Sequence, residues 1–93
     1  MTQVMQMSYQ ELIDSAVKKA EVKFDATIVE VQKNVLLLRR KSSPVSDKPF
    51  LTIKANLAGS GFYEGDYDMD FDAAVWNFNR RVEKSCFNVE RDL

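Results

Sequence analysis

Residues 24–41 read Phe24-Asp-Ala-Thr-Ile-Val-Glu-Val-Gln-Lys-Asn-Val-Leu-Leu-Leu-Arg-Arg-Lys41. The part up to Val31 is rich in β-branched residues, which fit a pleated strand better than a helix. Lys33-Asn34 lies between the two apolar runs, and asparagine tolerates the left-handed backbone that a tight hairpin turn needs. The segment therefore predicts two antiparallel strands over residues 24–31 and 35–41. Residues 35–38 are apolar on both faces of the second strand, so this strand needs covering.

A helix is predicted before this hairpin, over about residues 9–22. Ser8-Tyr9-Gln10-Glu11 matches a capping box, in which the serine hydroxyl and the glutamate carboxylate satisfy first-turn amides. Apolar residues then recur at helical spacing, at Tyr9, Leu12, Ile13, Ala16, Val17 and Ala20. Residues 1–7 carry no charge and are expected to form a flexible tail. Residues 8–93 are expected to form a single α+β domain.

A third strand and a second helix are predicted after the hairpin. Residues 42–49 contain both prolines and three serines, which favours a loop. Residues 50–58 alternate, with Leu51, Ile53, Ala55 and Leu57 expected to face the core and Thr52, Lys54 and Asn56 the solvent. Asp70 is placed to cap a helix whose apolar stripe comprises Phe71, Val75, Phe78, Val82 and Cys86. The expected fold is α+β in the order α-β-β-β-α, a three-stranded antiparallel sheet with both helices on one face.

Composition excludes several classes of protein. The chain has 93 residues, of which 45% are hydrophobic and 29% charged, which is typical of one folded domain and not of disorder. The net charge of −1 produces no overall attraction to nucleic acid or to a membrane. The sequence shows neither an apolar run of the roughly 18 residues that cross a bilayer nor a signal-peptide pattern, so we expect a soluble cytoplasmic protein.

The chain has one cysteine and no histidine. It therefore forms no internal disulfide and lacks the residue that most often serves as a general base or metal ligand. Cys86 lies on an apolar helical stripe and is expected to pack in the core. We expect a protein that is not an enzyme and that uses no cofactor and no metal.

The most regular pattern is Glu64-Gly-Asp66-Tyr-Asp68-Met-Asp70-Phe-Asp72, with five carboxylates at period two. In an extended chain these carboxylates would point one way, about 6.5 to 7 Å apart. Phosphates along a nucleic-acid strand have a comparable spacing, so this segment could occupy the basic groove of a nucleic-acid-binding protein. The mechanism is similar to that of phage inhibitors of restriction and CRISPR systems. We expect an inhibitor or regulator whose protein partner has a basic surface, bound through Tyr63, Glu64, Asp66, Tyr67, Asp68, Asp70, Asp72 and Trp76.

The same carboxylates have other interpretations. Asp66, Asp68 and Asp70 match three positions of an EF-hand calcium loop, but Phe71 stands where that loop needs glycine and Asn77 where it needs glutamate. A magnesium-dependent phosphoryl enzyme would also need a phosphate-binding loop, and Gly59-Ser-Gly-Phe62 lacks its lysine and its length. The structural interpretation is that acids favour the start of the second helix and keep an edge solvated.

A basic surface is the alternative site. Arg39, Arg40 and Lys41 end the second strand, and Arg80 and Arg81 lie on the second helix with Lys84. If these residues converge they could hold nucleic-acid phosphates; otherwise they pair with the acidic segment or solvate the surface.

The predicted element order resembles that of double-stranded-RNA-binding domains. The resemblance implies RNA binding by lysines at the start of the last helix, but residues 66–72 are acidic there, so any contact would use residues 39–41 instead. A further alternative is an oligomeric structural protein or homodimer, paired through sheet edges. Trp76 is either an edge of the core or an anchor for a partner.

Overall fold

The computed structural model describes residues 8–42, 47–57 and 61–91, with side chains described as far as Lys84. The predictions for the tail at residues 1–7, the middle of the Ser/Pro loop, the end of the third strand at residue 58 and the Cys86 side chain lie outside the described residues. The elements are α1 (Tyr9–Phe24), β1 (Ala26–Gln32), β2 (Val35–Arg40), β3 (Phe50–Ala55), β4 (Phe62–Met69) and α2 (Phe71–Arg91).

Helix α1 begins and ends on the residues that local chemistry favours. The amide of Glu11 donates to Ser8 Oγ at 3.1 Å, and the amide of Ser8 donates to Glu11 Oε1 at 2.8 Å, which confirms the predicted capping box. Asp25 ends the helix in a left-handed conformation, with φ 50°. Ile13 and Ala20 are buried on the predicted apolar stripe, whereas Tyr9, in the first turn, is exposed.

The strands form a single antiparallel sheet in the order β1-β2-β3-β4. The predicted hairpin is present, but Lys33, with φ 58°, takes the left-handed backbone in place of Asn34. Asn34 instead donates to the carbonyl of Ala55 at 2.9 Å and to Tyr63 Oη at 3.0 Å. The sheet has four strands where three were expected, so the element order differs from that of double-stranded-RNA-binding domains.

The two helices lie on opposite faces of the sheet, and the expectation that they share one face is wrong. Leu36 and Leu38 of β2 belong to the buried cluster that includes Ala20 of α1. Val35 and Leu37, which alternate with them, belong to the cluster that includes Ala74 and Phe78 of α2. Because β2 has no polar residue between 35 and 38, both of its faces need a covering layer, and each helix covers one.

The second helix also changes the environment of β3. Thr52 and Lys54 were expected to face solvent, but they face α2 and are buried. The predicted alternation of apolar and polar side chains in β3 is therefore present, but helix α2 covers the polar face that was expected to meet water. Both polar side chains find partners there, as a buried polar group requires.

Both edges of the sheet are irregular. Strand β1 has a bulge between Ile28 and Glu30, and the Ile28 amide donates to Glu21 Oε2 at 2.8 Å. Strand β4 has two register shifts against β3. Bulges of this kind interrupt the hydrogen-bonding ladder of an edge strand and discourage the addition of a further strand. None of the described helices is both long and apolar enough to cross a membrane.

Candidate functional site

Strand β4 carries the acidic segment, and two bulges set the direction of its side chains. Met69, Asp66 and Tyr63 pair in turn with Phe50, Thr52 and Lys54, so β4 advances three residues for every two of β3. Each extra step contains a left-handed residue, Glu64 with φ 55° and Asp68 with φ 57°. The expected one-sided ladder of carboxylates does not form, because each bulge turns the following side chains.

Asp66 faces α2 and is held there by two side chains. Arg81 Nη2 lies 2.7 Å from Asp66 Oδ2, and Asn77 Nδ2 donates to the same oxygen at 2.9 Å. Asn77 Oδ1 in turn accepts from Arg81 Nε at 2.9 Å and from the hydroxyl of Thr52. The hydrogen bonds from Arg81 and then Asn77 lower the pKa of Asp66 below its ordinary value of 3.8. This network fastens the edge strand to the helix.

Glu64 is paired in the same region. Its Oε1 lies 3.0 Å from Lys54 Nζ and 4.0 Å from Arg81 Nη1. The hydrogen bond from Lys54, together with its charge, lowers the pKa of Glu64 below the ordinary value of 4.5. The Lys54 ammonium also lies 5.9 Å from the ring centroid of Tyr63. Glu64 and Asp66 therefore serve the structure by compensating two largely buried cations, although both carboxylates still reach solvent.

Asp68 lies on the outer part of β4. Its Oδ1 is 3.5 Å from Arg40 Nη1, and 46% of its side chain is exposed. The Arg40 guanidinium also lies 5.4 Å from the ring centroid of Tyr67, which itself packs against Phe24. Gly65 leaves room for the Tyr67 ring, since a Cβ at that position would come within 2.7 Å of Tyr67 Cζ.

Asp70 and Asp72 begin α2. Asp70 Oδ1 accepts from the amide of Ala73 at 2.8 Å, which confirms it as the cap, and Asp72 lies in the first turn. Both carboxylates are exposed, and so is most of Phe71 between them. We use the name acidic surface for the exposed residues at this junction: Tyr67, Asp68, Asp70, Phe71 and Asp72.

An open cleft of about 510 Å³ lies between β4 and the outer side of α2. We call it the α2 cleft; its lining residues are Lys54, Glu64, Asp66, Trp76, Asn77, Arg80, Arg81 and Lys84. The side chain of Trp76 is prominent there, because the residue is 62% exposed and the Arg80 guanidinium lies 4.9 Å from its ring centroid. Trp76 is therefore a surface residue and not an edge of the core.

The structure does not bring the predicted basic residues together. Arg40 is paired with Asp68, whereas Arg39 and Lys41 are exposed nearby. Arg39 is opposite Phe50, whose ring packs against Phe71 at the start of α2. Arg80 and Arg81 lie about 14 Å from Phe71 along the axis of α2, since a helix rises 1.5 Å per residue.

Two residues of the network escaped prediction from the sequence. Lys54 was assigned to the solvent face of β3, because a second helical layer was not expected. Asn77 was considered only as a misfit in a calcium loop. The spacing of Asn77 and Arg81, one helical turn apart, was the available signal that they share a face of α2.

Within the described part of the chain, no three histidine, cysteine, aspartate or glutamate side chains converge in a way that could hold a metal ion. Comparisons with protein-family models, with curated proteins and with solved structures found no significant match to this chain.

Proposed function

We propose that this protein is a small non-catalytic binding protein that inhibits or regulates a nucleic-acid-binding protein. In this proposal the acidic surface enters the partner's basic groove and competes there with nucleic acid. One observation carries the proposal: Asp68, Asp70 and Asp72 are exposed at the junction of β4 and α2, whereas Glu64 and Asp66 are paired with the largely buried cations Lys54 and Arg81. The candidate contact residues therefore include three of the five carboxylates of the acidic segment.

The charges of the acidic surface support such a partner. Among the described residues only Asp68 of the three forms an ion pair, with Arg40 at 3.5 Å. The Asp68 side chain is 46% exposed, and ion pairs that reach solvent contribute about 0 to 1 kcal/mol, so an arginine of a partner can replace Arg40 at little cost. A basic groove would also attract the three carboxylates over a distance of about a Debye length, which speeds association.

The aromatic residues add an apolar component. Tyr67 and Phe71 are large exposed hydrophobic residues, and they alternate with the carboxylates along the chain. Tyrosine and phenylalanine are enriched in the centres of protein interfaces, where they supply area that charges alone do not. One side of each ring packs on Phe24 or Phe50, and the exposed side is available to a partner.

The test is partner capture by a variant that neutralises only this surface. Asp68→Asn/Asp70→Asn/Asp72→Asn keeps the side-chain shapes, and asparagine caps a helix about as well as aspartate. The matched control, Asp14→Asn/Glu30→Gln/Asp47→Asn, removes the same charge from exposed positions elsewhere. Each immobilised protein is incubated with nuclease-treated lysate of the native host, and retained proteins are eluted with DNA.

We expect the unmodified chain and the control variant to retain a nucleic-acid-binding protein that added DNA releases. The acidic-surface variant should lose it. Retention by that variant, or the absence of a DNA-released partner on the unmodified chain in this nuclease-treated lysate, would contradict the proposal.

A further inference from the structure

Trp76 is not explained by packing or by the acidic surface. It is the chain's only tryptophan, and on the outer side of α2 it exposes more than half of its surface. Such exposure leaves a large aromatic ring accessible to a ligand, and tryptophan is enriched among the residues that anchor binding partners. Arg80 lies 4.9 Å from the ring centroid, so a cation is held beside the exposed aromatic face.

The α2 cleft carries an excess of positive charge. Its lining has four basic residues, Lys54, Arg80, Arg81 and Lys84, and two acidic ones, Glu64 and Asp66. The two carboxylates compensate Lys54 and Arg81 at 3.0 and 2.7 Å. Arg80 and Lys84 form no ion pair within the part of the chain that the structure describes, which leaves two positive charges to attract an anion.

Trp76, Arg80 and Lys84 follow one another at intervals of four residues, so they form a stripe along α2. Successive members are roughly 6 Å apart along the helix axis. An aromatic platform followed by regularly spaced cations is the arrangement with which proteins bind single-stranded nucleic acids: bases stack on the ring, and phosphates follow the basic groove. A duplex offers phosphates but keeps its base faces stacked inside, so it cannot use the ring.

We infer that the α2 cleft binds single-stranded nucleic acid, with a base stacked on Trp76 and phosphates held by Arg80 and Lys84. The site stands on observations separate from the acidic surface and holds whether or not the proposed partner exists. The two surfaces adjoin, because Asp72 and Trp76 lie one helical turn apart. A chain whose acidic surface occupied a basic groove would thus place the α2 cleft beside that groove.

The experiment uses the purified chain and the intrinsic fluorescence of Trp76. The chain is titrated with a 15-nucleotide thymidine oligomer at low salt, and in parallel with inorganic polyphosphate of equal charge and with a 15-base-pair duplex. We expect saturable quenching by the oligomer, and weaker binding without quenching by the other two probes. Binding by Trp76→Ala, followed by oligomer anisotropy, should be weaker by roughly tenfold, as expected for loss of one stacked base.

Arg80→Ala should weaken binding several-fold and lower the slope of log affinity against log salt by roughly 0.7, the value for one phosphate on a single strand. Arg39→Ala is the matched control and should leave affinity and slope unchanged. Trp76→Phe keeps a ring and should restore most of the affinity. Asp68→Asn/Asp70→Asn/Asp72→Asn should bind the oligomer at least as tightly as the unmodified chain, so this assay fails or succeeds independently of partner capture.

The inference is overturned by any of three results. The first is the absence of saturable quenching, and the second is equal affinity for polyphosphate or duplex, which would indicate attraction by charge alone. The third is an equal loss of affinity in Arg39→Ala and Arg80→Ala. Circular dichroism of every variant shows that it is folded before its affinity is compared.

Discussion

The carboxylate of Asp66 and the guanidinium of Arg81 join the edge strand β4 to helix α2 across 2.7 Å. The Arg81 side chain is only 13% exposed. Asn77 forms hydrogen bonds with both Asp66 and Arg81. A cation with so little access to water depends on its carboxylate for compensation. The pair therefore determines how the outermost strand is attached to the helix above it.

Removing Asp66 should destabilise the protein more than removing its neighbour Asp68. We expect Asp66→Ala to lower the free energy of unfolding by about 1 to 2 kcal/mol, because Arg81 would lose its charged partner while it remains partly buried. Asp68→Ala should cost less than about 0.5 kcal/mol, since its pair with Arg40 is longer, at 3.5 Å, and the Arg40 side chain keeps more contact with water than that of Arg81. Urea denaturation measures both, and equal losses would show that the Asp66 pair has no special role.

Stability should depend on acid pH through the same network. The pKa of Glu64 is lowered by Lys54 and that of Asp66 by Arg81, below ordinary values of 4.5 and 3.8. Acids with a lowered folded-state pKa contribute stability above their unfolded pKa and lose it as the pH falls through the folded value. We expect urea midpoints to be level near neutrality and to fall as the pH drops below about 4.5.

The matched variant for this pH series is Glu64→Gln/Asp66→Asn. It should be less stable than the unmodified chain at pH 7 and should show a shallower decline in acid, because the two linked protonations are gone. A decline of the same steepness in both proteins would assign the acid sensitivity to other carboxylates.

The placement of the helices on opposite faces predicts equal sensitivity on both sides of β2. Leu36 faces α1 and Leu37 faces α2, and both are buried. Each substitution to alanine should cost about 2 to 4 kcal/mol, as large-to-small changes in a core do. Val29→Ala on the exposed part of β1 is the control, with a cost well below 1 kcal/mol. If only one of the two leucines were sensitive, one face of β2 would be open to solvent.

The hairpin turn offers a stabilising substitution. Lys33 adopts a left-handed backbone, with φ 58°, which costs a side-chain-bearing residue roughly 1 kcal/mol. Glycine adopts this conformation without that cost, and Gly-Asn is a favourable hairpin pair. Lys33→Gly should therefore raise the thermal midpoint by a few degrees. Lys41→Gly, an exposed lysine outside the turn, is the control, and a lower midpoint for Lys33→Gly would contradict the turn geometry.

Much of the fold follows from local sequence. The capping box at Ser8, the cap at Asp70 and the apolar periodicities predicted both helices, and β-branched and alternating segments predicted β1, β2 and β3. Residues 35–38 also held the clue to two covered faces, because a strand that is apolar on every residue is typical of burial on both sides. Because both helices were expected on one face of the sheet, the other face was expected to be open to solvent. The burial of Thr52 and Lys54 on that face was therefore not predicted.

The bulges of β4 could not be predicted in the same way. Glycine would mark a left-handed position, but here the left-handed residues are Glu64 and Asp68, and only their pairing with β3 imposes that backbone. The strict alternation of acids therefore predicted a single acidic face on β4. In the structure, two bulges change the direction of its side chains. The partners of Asp66 and Glu64 are likewise set by tertiary packing. Lys54 lies on β3, and Arg81 lies about three helical turns after the start of α2.

In the proposed function, Glu64 and Asp66 hold the structure, whereas Asp68, Asp70 and Asp72 meet a partner. The most direct measurement compares partner retained by Asp68→Asn/Asp70→Asn/Asp72→Asn and by Glu64→Gln/Asp66→Asn, at pH 7 and at a temperature where both are folded. We predict that the first variant loses the partner at full stability, and that the second keeps the partner although its urea midpoint is lower. Retention by the first and loss by the second would contradict the division.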